Sequence, residues 1–492
     1  MSNKKPGNIP VIAIVGHPNA GKSSVLATLI ENDQIPISPE QGTTIANQNH
    51  YLKLDGVTAI ELIDTPGFQH HQDVLDWFKS NNFNNKKDRL DEFLDNYKND
   101  DSFKQDYQII KAIFSSNLLV YIVDDTKPIR KADINEMEIL SRTGSSRMAL
   151  INPQNSVKKY QQDWQDALKT KFSTVIREFN AHNSWFPERV KLFSAIREID
   201  VQYLDPIDQY INGIHTIWDS RLKESAKIIS DMLIDVLQEK VKTNIRNLNY
   251  NAKKRTKAEL IKKFQKKINN HIDQSESRIR LLYKHRKWSK NLRRDLMHGK
   301  NFFSREVNKA LGLSQKQLAI VSATAGAAIG GIIDASMGGA SFLTGTVIGG
   351  GVGAATGYFS HTSLIHVTKS NPLMGLFSSN NLEVYIENSP NIVAKIIDWA
   401  LLYCFEAMRW SHAKSQLKES DYNGTFTHQL NRNDIKIFTN FTNKFHQKDI
   451  SLSNMPDEYV KMEKLLLTIL KKISDDDLPP KSRTVACQSL PE

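Results

Sequence analysis

The residues best suited to chemistry stand together near the start of the chain, in Gly16-His17-Pro18-Asn19-Ala20-Gly21-Lys22-Ser23. This is a GxxxxGK pattern followed by a hydroxyl residue. Its glycines let successive backbone N–H groups turn inward and cradle phosphate oxygens at the start of a helix. Gly16, Asn19, Ala20, Gly21, Lys22, Ser23 and Ser24 are therefore the expected phosphate-binding set. Lys22 offers a cation to the β- and γ-phosphates and is an expected catalytic group. The Ser23 hydroxyl is a hard oxygen ligand suited to magnesium (Mg2+).

Two further pieces lie downstream at suitable intervals. In Gln41-Gly42-Thr43-Thr44 a threonine can complete the magnesium shell and sense the γ-phosphate. Thr44 is the expected residue, catalytic as well as metal-binding, with Thr43 as the alternative. In Asp64-Thr65-Pro66-Gly67, Asp64 would hold magnesium through water and the Gly67 N–H would meet the γ-phosphate. Alone this tetrapeptide is a weak signal, but following a complete phosphate loop by roughly forty residues it is close to decisive.

The purine side is less orthodox. The motifs above resemble those of P-loop GTPases, and that resemblance implies an NKxD motif against guanine where Asn152-Pro153-Gln154-Asn155 stands; Pro153 replaces the lysine and Asn155 the aspartate. A carboxylate accepts two hydrogen bonds from guanine, and an amide cannot accept both. The residue types alone therefore leave guanine and adenine open. Asn180-Ala181-His182 occupies the place of the loop that backs the base. Ser194-Ala195, inside a helical pattern and far from Asn152, is the weaker alternative. Asn152, Asn180 and Ala181 complete the expected nucleotide-binding set.

Together GHPNAGKSS, QGTT and DTPG resemble the Era/TrmE branch of bacterial GTPases. The resemblance implies GTP and GDP as ligands. It also implies that Asn19 coordinates a potassium ion (K+) beside the phosphates, a catalytic role, because a cation there neutralises charge on the transferring group. Phe68 follows Gly67 where Ras-like proteins carry a water-orienting glutamine, and its ring cannot position water by hydrogen bonding. Slow hydrolysis that depends on potassium or a partner is expected, and a homodimer through this domain is one such partner.

These groups need a scaffold. Residues 9–15 are apolar and β-branched, which predicts a buried parallel strand, and 24–30 continue as a helix. Further strands are expected over 47–54, 57–63, 118–123, 148–151 and 174–179, with helices over 134–140 and from 188. Residues 73–113 are polar with helical apolar spacing, an insertion larger than Ras-like domains carry. The expected fold class is α/β: a P-loop NTPase G domain over 9–205, with a mostly parallel sheet and helices on both faces, behind a disordered 1–8.

The formal charge of +11 and pI near 9.2 point to an anionic partner, nucleic acid or a membrane surface. Two cysteines, Cys404 and Cys487, are too few for a disulfide framework and suit a reducing compartment. The polar, basic start of the chain lacks the form of a signal peptide, so a cytoplasmic location is expected. From Ile214 onward the pattern reads as helical almost throughout, and 206–316 is a basic helical region with Lys253, Lys254, Arg255, Lys262, Lys263 and Lys266. A basic amphipathic helix suits a membrane surface or nucleic acid.

Residues 317–360 read as a glycine-rich hydrophobic hairpin. Between 318 and 359 the single charge is Asp334, and Gly345, Gly349, Gly353 and Gly357 recur every four residues, a glycine zipper that lets two helices approach closely. Its first arm would be about 24 Å long, short of the roughly 30 Å hydrocarbon layer. Spanning, re-entrant insertion and a close-packed soluble hairpin all stay open. Residues 361–478 are expected to be mainly α-helical, with a strand at 382–386 and helices over 392–408 and 458–473. Residues 479–492 form a disordered tail.

The whole order resembles an uncharacterised bacterial family with an Era/TrmE-type G domain and a helical domain of unknown function. GHPNAGKSS, DTPGFQ, EMEIL, RMALINP, FNAH and the hairpin carry the likeness, and NP in place of NK would be a family trait. It implies a membrane-associated GTPase and supplies no effector; the leading reading is a switch at the cytoplasmic face of the inner membrane, whose lipids are then partners. The alternatives are an RNA- or ribosome-associated GTPase and a dynamin-like remodeller. No KH-type GxxG loop or aromatic RNA platform favours the first of these.

Overall fold

The computed structural model describes residues 9–35, 46–81, 86–153, 159–172, 175–286, 365–369, 381–386, 390–414, 426–427, 430–446 and 456–475. The expected roles of Thr43, Thr44 and Asn155, and the hairpin at 317–360, lie outside these residues. Two compact units emerge: 1–220 with 284–287 and 408–416, and 221–283 with 288–407 and 417–492.

The first unit is built on six strands: β1 (Val11–Val15), β2 (Gln48–Leu54), β3 (Val57–Asp64), β4 (Leu118–Val123), β5 (Ser146–Ile151) and β6 (Val175–Glu178). Their order is β2-β3-β1-β4-β5-β6, with β2 antiparallel to β3 and every other pair parallel. Burial explains the near-continuous apolar runs. Ala13, Val15, Leu119, Tyr121, Ala149 and Ile151 enter one core cluster. The intervening Ile12, Ile14, Val120, Ile122, Met148 and Leu150 are buried as well, so both faces are covered. Asp55 and Gly56, both at positive φ (48° and 82°), make the tight β2–β3 turn that an Asp-Gly pair favours.

Around the sheet lie α1 (Lys22–Leu29), α2 (His71–Ser80), α3 (Lys86–Tyr97), α4 (Lys104–Ser115), α5 (Lys131–Arg142), α6 (Gln161–Ala167) and α7 (Phe186–Arg197). The segment 73–113, expected as a helical insertion, is occupied by α2, α3 and α4. It is no appendage: Leu75, Phe78, Leu90, Phe93, Ile110 and Ile113 belong to the same core cluster as the strands. A long helix, α8 (Leu204–Gln238), follows.

The second unit holds α9 (Tyr250–Leu282), α10 (Pro390–Arg409) as far as residue 407, α11 (Arg432–Phe445) and α12 (Asp457–Ser474). It also contains an antiparallel sheet of β7 (Lys240–Asn244), β8 (Ile365–Lys369) and β9 (Asn381–Ile386), ordered β7-β9-β8. The pattern expected to be helical almost throughout from Ile214 is interrupted here by β7, which the sequence reading did not include. In β7 only Val241 is buried, too little for a period-2 signal, and the strand exists because it pairs with β9 far along the chain. Among the described residues, no helix is long and apolar enough to cross a membrane.

Candidate nucleotide site

The phosphate loop follows β1 directly. A Cβ on Gly16 would lie 2.4 Å from the Ile122 carbonyl oxygen, so the loop can pass over β4 only with glycine there. Asn19 (φ 64°) and Gly21 (φ 88°) turn the chain into α1, whose first residue is Lys22. The Lys22 ammonium is buried and donates to the carbonyls of Gly16 (2.8 Å) and His17 (3.2 Å). Burial pushes its pKa down, while Asp64 and Glu136 pull it up.

Ser23 and Asp64, 41 residues apart, meet: Ser23 Oγ donates to Asp64 Oδ2 at 3.1 Å. A hydroxyl and a carboxylate beside a phosphate loop form the hard oxygen set that magnesium takes, so these residues fit that ion. A Cβ on Gly67 would come within 2.3 Å of Pro18 Cδ, which seats the Asp-Thr-Pro-Gly turn directly against the phosphate loop. Thr65 fixes that turn by donating to the Ile14 carbonyl at 2.7 Å. Asn19 lines a shallow cleft together with Tyr121, Asp124, Lys127 and Arg130.

On the side expected to take the base, the fully buried Asn152 joins two loops. Its Nδ2 donates to the Ala20 carbonyl at 3.1 Å, and its Oδ1 accepts from the Ala181 N–H at 3.0 Å. Asn180 turns its Oδ1 to its own loop, accepting from the N–H groups of His182 and Asn183. Ser24 is buried in the first turn of α1, while Ser194 and Ala195 lie inside α7. The fold thus gathers Gly16, Asn19, Ala20, Gly21, Lys22, Ser23, Ser24, Asp64, Gly67, Asn152 and Ala181 at one end of the parallel strands.

Two groups of residues escape sequence reasoning. Asp106 of α4, fully buried, accepts from the backbone N–H of Gln69 (3.0 Å) and of His70 (3.3 Å), and pairs with His70 Nδ1 at 3.1 Å. Glu136 of α5, also fully buried, holds His17 Nδ1 at 3.2 Å and accepts from Tyr121 OH at 3.1 Å. Both carboxylates interrupt apolar helical stripes, and that interruption is the signal that could have found them. Phe68, by contrast, is buried in the core cluster.

This arrangement defines a class. The first unit is a P-loop GTPase domain, and residues 11–152 match the family described as 50S ribosome-binding GTPase. Residues 165–468, more than half of the chain, match a domain of unknown function, DUF3482, and the chain belongs to that family. GTPase Der of Pseudothermotoga lettingae is 24% identical over 278 residues, covering 54% of this chain and 56% of the relative. The tRNA modification GTPase MnmE of Staphylococcus epidermidis is 26% identical over 124 residues, 25% of this chain and 27% of the relative. The crystal structure of Era in complex with MgGDPNP and nucleotides of 16S ribosomal RNA is similar with a TM-score of 0.26 at 16% identity, covering 54% of this chain and 88% of that one. The chain spans about half, or less, of the length of the curated relatives it matches.

Proposed function

We propose that this protein hydrolyses GTP to GDP and phosphate with magnesium, and that the nucleotide switches how its second unit engages an anionic membrane surface. One observation carries the nucleotide part: Ser23 Oγ and Asp64 Oδ2 converge at 3.1 Å beside the buried Lys22. In this reading Ser23 holds magnesium directly, Asp64 holds it through water, and Thr44 completes the shell. Lys22 and the loop N–H groups from Gly16 to Ser24 bind phosphate, the Gly67 N–H meets the γ-phosphate, and Asn152, Asn180 and Ala181 back the base. Bound magnesium would neutralise charge on the transferring phosphoryl group.

The burial of Phe68 leaves water positioning to other groups, which supports slow turnover and a potassium ion at Asn19. The division into a nucleotide-binding region over 9–205 and basic and helical regions beyond it belongs to this reading. So does a location at the cytoplasmic face of the inner membrane.

The membrane part rests on charge. Arg255, Lys262, Lys263 and Lys266 of α9 are exposed, opposite the buried stripe of Leu260, Phe264, Ile268 and Ile272. The apolar, glycine-rich 318–359 sequence would add a hydrophobic anchor. A second reading uses the same cationic face on RNA phosphates, and the match of 11–152 to ribosome-binding GTPases favours it.

The test measures hydrolysis of GTP and ATP in potassium and in sodium, with and without anionic vesicles. GTP turnover stimulated by potassium and by vesicles is expected. ATP preference, or equal rates in sodium, would remove the corresponding part. Vesicle binding that survives deletion of 318–359 would remove the anchor, and ribosomal RNA released by salt would favour the second reading.

A further inference from the structure

Among the described residues, the Ala181 peptide is the meeting point of four chain segments. Its N–H donates to Asn152 Oδ1 at 3.0 Å, and Asn152 in turn donates to the Ala20 carbonyl of the phosphate loop. Its carbonyl accepts from Thr28 Oγ1 of α1 at 2.9 Å and from Ser411 Oγ. Ser411 lies 230 residues downstream of Ala181, beyond α10. Its oxygen is 3.0 Å from Thr28 Oγ1 and accepts from the Ala413 N–H at 3.2 Å. Thr28, Asn152, Ala181 and Ser411 are each no more than 1% exposed.

The segment carrying Ser411 is held at several points within the same unit. The Arg409 guanidinium lies 4.6 Å over the Trp185 ring, just past the base-backing loop. The rings of His412 and His285 stack at 4.5 Å, and Lys284, beside His285, pairs with Glu31 at 3.1 Å. Glu31 is also paired with Arg189 of α7. Two short stretches from distant parts of the chain therefore close onto the end of α1 and the β6–α7 loop.

We propose that Ser411 is a positioning residue for nucleotide binding: by donating to the Ala181 carbonyl it fixes the base-backing loop from outside the sequence of the G domain. The proposal rests on the nucleotide reading above. A carbonyl oxygen has two lone pairs, and here both are used inside the protein. Removing one donor leaves Thr28 as the single hydroxyl holding the loop, so the base loses support while the phosphate loop and magnesium ligands stay in place. The result is a change in how long nucleotide stays bound, with little change in the hydrolytic step.

The test uses the full chain and fluorescent mant-GDP, with Ser411→Ala, Ser411→Thr and Thr143→Val. Thr143 is a buried hydroxyl of the same unit that donates to Leu140 O at 2.7 Å, remote from these loops in its bonding. Loss of one buried hydrogen bond of ordinary strength predicts about fivefold to tenfold faster mant-GDP release from Ser411→Ala. KM for GTP should rise to match, kcat at saturating GTP should stay within twofold, and Ser411→Thr should restore the wild-type rate. Thr143→Val should release mant-GDP at the wild-type rate. Wild-type protein that binds no mant-GDP overturns the nucleotide reading and this inference with it. Wild-type binding combined with a Ser411→Ala rate within twofold, an equal effect from Thr143→Val, or no restoration by Ser411→Thr overturns this inference alone.

Discussion

Asp106 holds His70 at two points, through the backbone N–H at 3.3 Å and the ring Nδ1 at 3.1 Å. Asp106 belongs to the helical insertion, and His70 lies three residues past the Gly67 that abuts the phosphate loop. The insertion thus sets where the chain goes after Asp-Thr-Pro-Gly. In the nucleotide reading proposed above this stretch responds to the γ-phosphate, and the buried carboxylate of α4 is then expected to feel the nucleotide state.

Replacing Asp106 with alanine should therefore act on hydrolysis more than on binding. Hydrogen bonds to a charged acceptor contribute about 1.5–3 kcal/mol each in net terms, and at least two would be lost. Single-turnover GTP hydrolysis is expected to slow about tenfold or more, with GDP affinity changed far less and a lower Tm. Equal rates in wild type and Asp106→Ala would remove the link.

The paired oxygens of Ser23 and Asp64 predict a metal-dependent phenotype. Ser23→Ala should weaken GTP binding in magnesium while leaving metal-free binding with EDTA close to wild type, since only a metal ligand is lost. Lys22→Ala should weaken triphosphate binding by about tenfold to a hundredfold in either condition, through loss of charge-assisted hydrogen bonds. Isothermal titration calorimetry with and without magnesium separates the two. A Lys22→Ala protein that binds as tightly as wild type would sink the pocket assignment.

Glu136 is fully buried, with His17 and Tyr121 as partners. Burial and the neighbouring carboxylate push the Tyr121 hydroxyl well up, so it stays a donor at any physiological pH. Tyr121→Phe removes one donor from a buried charge and should destabilise the protein by about 1–3 kcal/mol in urea unfolding. Glu136→Ala also leaves His17 without its partner at the phosphate loop, so it should lower nucleotide affinity as well as stability. Calorimetry on both variants checks the difference.

Asp398 on α10 gives a pH prediction. It accepts from the N–H groups of Phe426 and Thr427 at 2.8 Å each and from Thr427 Oγ1 at 2.6 Å. Burial nonetheless dominates and raises its pKa from 3.8 to about 6. The folded state therefore binds this proton more tightly than the unfolded chain does. Its contribution to stability is fully present below about 3.8 and is lost as pH rises through about 6. Thermal unfolding of wild type and Asp398→Asn should diverge across this window, with wild type losing at most about 3 kcal/mol relative to the variant. Parallel curves would refute the assignment.

Much of the first unit could be read directly from the chain, because its signals are local. The β1 run, the glycines of the phosphate loop and the alternation of strands and helices each depend on neighbours within a few residues. The strand at β9 and the helices α10 and α12 were legible for the same reason. What sequence alone could not decide is long-range. The pairing of β7 with β9 depends on partners more than a hundred residues apart, and β7 by itself carries almost no periodic signal. The grip of Asp106 on His70, the seat of Glu136 behind His17 and the bond from Ser411 to Ala181 each need the folded core to bring distant residues together. A carboxylate such as Asp106 or Glu136 shows in the sequence only as a break in an apolar stripe, and tertiary packing alone says which partner satisfies it.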